Sequence, residues 1–153
     1  MIKIQDILKP NQIALELAAT TAPAAVHEVA QLLRGDPRVL DWNGMVASLK
    51  TSNSCIANEN GYGICIPHAR TNHVNSMVMS VGRSSRGIFF EDGNTEVHYI
   101  FVIGVPLALA ADYLRIIGAL ARAFRSPKTE QLLRQATVKG KFIELLSESE
   151  AAL

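Results

Sequence analysis

Gly61-Tyr62-Gly63-Ile64-Cys65-Ile66-Pro67-His68-Ala69-Arg70 is the stretch on which the reading of this chain turns. Two glycines open it. A short run of β character follows, with Ile64 and Ile66 on one face and Cys65 on the other. Pro67 fixes its own φ near about −65° and offers no N–H, so sheet pairing is expected to end there. His68 then stands just past a strand end, at a rim, where α/β folds place their chemistry. Arg70 supplies a permanent positive charge within reach of an anion held by His68.

Working outward, the strongest strand runs from Val97 to Val105. Val97, Tyr99, Phe101, Ile103 and Val105 fall on one side, with Ile100 and Val102 on the other. Apolar residues on both faces predict a central strand covered on both sides. Ser76–Arg83 alternates as a strand with Met77, Met79 and Val81 on one face. Gly87–Phe90 reads as a short separate strand or turn, and Asp92-Gly93 as a turn. Gln12–Leu17 reads as an entry strand after a loop over Asp6–Pro10.

The remaining segments have helical spacing. One helix begins near Ala22-Pro23 behind the capping candidate Thr21, with Val26, Val29, Ala30 and Leu33 inward and His27 at the edge of that stripe. Gly35-Asp36-Pro37 ends it. A second runs from about Asp41 to Leu49. A third spans Asp112–Arg125, with Leu114, Ile117, Leu120, Ala121 and Phe124 as its expected buried stripe and Arg115 and Arg122 solvated opposite. Ser126-Pro127 starts a helix to Gln135. A last one covers Phe142–Glu150, with Phe142, Leu145 and Leu146 apolar.

A chain of 153 residues with 48% hydrophobic content fits one domain, 1–153, with a core that needs no disulfides. Fifteen basic against 14 acidic residues leave a net charge of +1, which gives no electrostatic case for nucleic acid or an anionic membrane. No apolar run approaches the roughly 18–20 residues of a membrane span. The first residues lack the charged and apolar regions of a secretory signal. Cys55 and Cys65 make no disulfide framework, so a reduced cytoplasmic protein is expected. Cys65-x-x-His68 with His73 beyond is a poor zinc signature. Gly61-Tyr62-Gly63 lacks a third glycine and precedes a strand, unlike a dinucleotide-binding turn. No cofactor or metal is therefore expected.

The decamer resembles the active-site segment of the fructose/mannitol-class IIA proteins of the bacterial sugar phosphotransferase system, which include the nitrogen-regulatory IIA proteins. That segment typically reads G-x-G-[IV]-[AC]-[IV]-P-H-[AG]-[RT]. The likeness runs on through the Asp-Gly turn and Pro106 to the last helices. It implies an α/β single domain with a central mixed sheet flanked by helices on both faces. It also implies that His68 accepts a phosphoryl group from an HPr-like phosphocarrier protein and passes it to a membrane sugar transporter subunit or uses it as a regulatory mark.

The chain departs from the family where an Arg-Glu pair and a later Thr are usual. Those positions fall on Ser52, Asn53 and Asn58. The family's second histidine, in a His-Leu step, falls on Tyr113 of Tyr113-Leu114. A hydroxyl cannot grip phosphate oxygens as a guanidinium fork does. Lys50 could stand in as a point charge, and the Tyr113 phenol could donate a hydrogen bond. Backbone N–H groups near Gly61–Gly63 are further candidate donors, with Ile64, Ile66 and the helix at 112–125 framing an apolar rim. Since losing a strong donor at such a site costs on the order of 10²–10³ in rate, the alternative is a weakly phosphorylated or unphosphorylated module that acts by binding a partner.

Overall fold

The computed structural model describes residues 1–52, 54–57 and 61–151. Asn53 and Asn58 lie outside the described residues. Among the described residues, six strands form one mixed sheet: β1 (Ile13–Ala14), β2 (Cys55–Ile56), β3 (Gly63–Cys65), β4 (His68–Arg70), β5 (Val78–Phe90) and β6 (Thr95–Val105). Their order is β1-β5-β6-β3-β2, with β4 also on β6. β5 and β6 pair antiparallel, while β3 and β4 both run parallel to β6. β6 is thus the central strand its doubly apolar pattern predicts.

Helices cover both faces. On one side α1 (Ile4–Ile7), α4 (Ala110–Arg125), α5 (Pro127–Gln135) and α6 (Lys139–Ala151) close a core containing Ile64, Ile66, Met77, Met79, Val81, Tyr99, Phe101 and Ile103. On the other, α2 (Ala22–Gln31) and α3 (Trp42–Ala47) cover Cys65, Ala69, Val78, Ile100 and Val102. Among the described residues, no helix is long and apolar enough to cross a membrane.

Several sequence expectations are revised. Val97 belongs to the α2/α3 face, because the pairing slips between Gly63↔Val97 and Ile64↔Tyr99 and leaves His98 as an extra residue. A bulge of this kind reverses the alternation on one side of it. The strand expected over Ser76–Arg83 begins only at Val78 and runs on through Gly87–Phe90 as one long strand, β5, with a register shift between Arg83 and Ile88. Gly87 has φ 82°, which a glycine adopts without penalty. Ile4–Ile7 is a short helix that runs into the loop expected over Asp6–Pro10, and the entry strand shrinks to Ile13–Ala14 behind a 3-10 turn at Pro10–Gln12. Thr21 makes no side-chain cap; instead Glu28 reaches back to the amides of Ala18 and Ala19 at 3.0 and 2.9 Å.

α4 is rotated by about one residue from the stripe read in the sequence. Ile116, Ala119, Leu120, Ala123 and Phe124 are buried, while Leu114 is 67% exposed. The two alanines allow the helix to lie close to the sheet. Arg115 is not a free solvated cation: it binds Glu150 of α6 at 3.2 Å. α5 matches the expected boundaries, and Ser126 caps it by accepting from the Thr129 amide.

Beneath α5 lies a polar cluster that the sequence did not announce. Glu130 is fully buried on the α5 face of the sheet. The Tyr99 hydroxyl donates to it at 2.8 Å, and the Arg134 fork donates at 3.2 and 3.1 Å. Burial first, and the Glu130 carboxylate second, push the Tyr99 phenol up, so it stays a donor.

Candidate functional site

The proline does interrupt the strand, but pairing does not end with it. The Pro67 carbonyl still accepts from Ile103 N–H at 3.0 Å. β4 then resumes on β6 with His68 opposite Ile103 and Arg70 opposite Val105. Proline removes a donor and leaves its acceptor in place, so one lost amide breaks the ladder only locally. His68 is therefore the first residue of β4, paired near the carboxyl end of β6, and not a residue beyond the sheet. Its ring is half-buried.

The Nδ1 atom of His68 lies 3.1 Å from the Ile66 carbonyl oxygen. A carbonyl only accepts, so Nδ1 carries the proton. In the neutral ring the lone pair is then on Nε2. The Tyr113 ring flanks the imidazole, with centroids 5.3 Å apart and planes inclined at 38°. Tyr113 is reached because Pro106 ends β6 and a 3-10 turn, Leu107–Leu109, leads the chain into α4. Burial pushes the Tyr113 phenol up, which keeps its O–H on at neutral pH.

On its free side β4 meets a segment far away in sequence. Lys50 N–H donates to the His68 carbonyl at 2.7 Å, and His68 N–H donates to the Lys50 carbonyl at 3.1 Å. The two residues form an isolated antiparallel bridge. Directly opposed residues in such a bridge point their side chains to the same face, with Cβ atoms about 5.5 Å apart. Lys50 and His68 are thus cross-strand neighbours. Arg70, two residues along β4, shares that face by strand alternation. Lys50 and Arg70 are exposed, and neither joins an ion pair among the described residues. Ser52 is exposed in a turn between Lys50 and Ser54, whose carbonyl accepts from Ile66 N–H.

Two expectations about the surroundings fail. Gly63 and His68 lie along one extended line, with partners Val97 and Ile103 on β6. At about 3.3 Å per residue they are roughly 15–20 Å apart, so amides near Gly61–Gly63 are out of reach. Ile64 and Ile66 are buried in the core and frame no rim; the exposed apolar residues flanking Tyr113 in sequence are Leu107 and Leu114.

Cys65, His68 and His73 are directed to different places. The His73 ring lies 3.7 Å from the Asp41 carboxylate before α3. The Cys65 sulfur lies 2.8 Å from that of Cys55 and 3.0 Å from Ser54 Oγ. Burial is the first cause raising both thiols, so both stay protonated at neutral pH. This thiol contact and the Lys50–His68 bridge were missed as pairings. The only signal was the polar, turn-rich run before Cys55, consistent with a chain that doubles back.

A family model described as "Phosphoenolpyruvate-dependent sugar phosphotransferase system, EIIA 2" matches residues 6–149. A Haloferax volcanii protein named as the fructose-specific EIIA component of that system is 29% identical over 146 residues, covering 95% of both chains. Among solved structures, the nitrogen regulatory protein IIA-Ntr of Neisseria meningitidis superposes with a TM-score of 0.77 at 20% identity, covering 92% of this chain and 97% of that one. The mannitol IIA enzyme of Escherichia coli, solved in complex with phosphorylated mannitol IIB, gives 0.70 at 15% identity, covering 93% and 99%.

Proposed function

This chain belongs to the EIIA 2 family of the phosphoenolpyruvate-dependent sugar phosphotransferase system, and we propose that within it His68 is a phosphoryl acceptor and donor. The observation that carries this reading is the Nδ1 contact to the Ile66 carbonyl, which leaves a lone pair on Nε2. Phosphoryl transfer asks for an in-line nucleophile and for positive charge and donors on the equatorial oxygens. Nε2 forms the bond to phosphorus as the donor's own P–N bond breaks. The departing imidazole of an HPr-like carrier keeps that electron pair. The reverse sequence delivers the group to a IIB or transporter partner, or leaves a regulatory mark on this chain.

Charge for the oxygens comes from Arg70 and Lys50 on the same face, and a neutral donor from the Tyr113 hydroxyl. Ser52, exposed in its turn, adds a hydroxyl where the family usually has a guanidinium. Two strong donors are thereby replaced by weaker ones, which favours slow transfer. The same departures support a second reading, a regulatory module that docks on a partner with little turnover at His68.

The test is incubation with a phosphorylated HPr-type carrier. The expected result is an acid-labile, alkali-stable phosphate on the wild type and none on His68→Ala. Label on both proteins refutes the assignment of His68, and label on neither favours the binding module. Cytoplasmic placement is part of the proposal and follows from where such carriers meet their partners.

A further inference from the structure

Cys55 and Cys65 are ten residues apart in sequence and directly opposite one another in the antiparallel β2/β3 pair. Their neighbours, Ser54 and Ile66, are joined by a backbone hydrogen bond of 2.8 Å. Hydrogen-bonded and non-hydrogen-bonded pairs alternate in such ladders, so the cysteines occupy the non-bonded type, with Cα atoms about 4.5 Å apart. That separation lies inside the roughly 4.4–6.8 Å range a disulfide spans without moving the backbone. The sulfurs are already 2.8 Å apart, well inside van der Waals contact. Cys55 is partly exposed, and Cys65 is buried beneath it.

We propose that Cys55 and Cys65 are an oxidation site, closing to a cross-strand disulfide by exchange with a small-molecule disulfide such as oxidised glutathione. Cys55 is the partly exposed cysteine of the pair. Its thiolate attacks one sulfur of glutathione disulfide, a mixed disulfide forms, and one glutathione leaves as thiol. Cys65 then attacks the Cys55 sulfur. The protein S–S bond forms, the second glutathione departs with the electron pair of the broken bond, and it takes up the proton that Cys65 gives off. In the reduced protein Cys55 S–H donates to Cys65, the Cys65 thiol meets Ser54 Oγ, and the Ser54 hydroxyl donates to the Thr51 carbonyl. Burial keeps both thiols protonated at neutral pH, so the exchange is slow. Geometry decides where the oxidation goes.

The bond has a local consequence. It staples 54–56 to 64–66, and the continuations of those two segments carry Lys50 and His68, which exchange backbone hydrogen bonds. Oxidation therefore holds the Lys50 segment against β4. Formation of the disulfide does not depend on whether His68 is phosphorylated.

The experiment is exposure of the folded full chain to excess oxidised glutathione, followed by intact mass and peptide mapping. The expected result is loss of two hydrogens, a single 55–65 cross-linked peptide with no retained glutathione, and reversal by dithiothreitol. Cys65→Ser should retain one glutathione on Cys55, since the resolving thiol is gone. In the oxidised wild type, the Lys50 and His68 amides should exchange hydrogen several-fold more slowly. A wild type that keeps stable glutathione adducts, forms cross-linked dimers, or retains two free thiols after prolonged exposure overturns the proposal. The wild-type map decides this even if the serine variant fails to fold. A disulfide that leaves both amide rates unchanged refutes the coupling to the Lys50 segment.

Discussion

Replacing Arg134 by methionine should destabilise the protein by about 2–3 kcal/mol. Glu130 is fully buried, and three hydrogen bonds hold its carboxylate: two from the Arg134 fork and one from the Tyr99 hydroxyl. Removing one partner of a fully buried pair costs about 3–5 kcal/mol, because it strands a charge away from water. Here the Arg134 side chain is 40% exposed, so solvent already screens part of the attraction and brings the cost to about 2–3 kcal/mol, at or below the lower end of that range. Arg134 also stacks on the Tyr62 ring with its guanidinium carbon 4.0 Å from the centroid, a contact methionine keeps only in part. Urea titrations of the wild type, Arg134→Met, Glu130→Gln and the double variant close a cycle. The double variant should recover at least about 1 kcal/mol relative to the sum of the singles, because no buried charge is left unpaired. An Arg134→Met midpoint within about 0.5 kcal/mol of wild type, or strict additivity, would refute the claim that this cluster is a coupled buried ion pair.

Asp36 is held down to about 2, first by the Arg38 side-chain bonds and further by the Arg38 amide and Gln12. A depressed folded value stabilises above the unfolded one, so about 2 kcal/mol present near pH 5 is lost as pH falls from about 4 towards 2; Asp36→Asn should flatten that part of a stability-against-pH curve. Gly82→Ala should cost about 1–3 kcal/mol by overpacking, since its Cβ would sit 2.5 Å from Leu17 Cδ2 and 2.7 Å from Val29 Cγ2; an unchanged melting temperature would contradict this. Lys50→Met should slow phosphoryl transfer to His68 about tenfold and Lys50→Arg should restore it, as expected for an exposed charge on the oxygens; a stopped-flow rate equal to wild type for the methionine variant removes Lys50 from the site.

Local patterns carried the elements whose burial is decided by their own residues. β6 was legible because both its faces are apolar, and α5 because Ser126 and Pro127 fix its start chemically. What failed was decided elsewhere. Val97 faces the unexpected side because a bulge at His98, set by pairing with β3, resets the alternation. Leu114 is outside because the surface that α4 meets selects Ile116, Ala119 and Ala123. His68 stood out through its motif, and Arg70, Lys50 and Tyr113 were named beside it, but the backbone pairings around it were not. The Lys50 bridge and the Cys55 contact come from antiparallel pairing of Lys50 and of Cys55–Ile56 with the segment 64–68, and no periodicity within either segment encodes which residue lands opposite which.

The central claim concerns one atom, Nε2 of His68. Phosphorylate the ¹⁵N-labelled protein with its HPr-type carrier and read the phosphorus–nitrogen coupling of the product by NMR. The account predicts a single phosphoryl group on Nε2 of His68, with Nδ1 still bonded to the Ile66 carbonyl. A phosphoryl group on Nδ1, on another residue, or on none would contradict it.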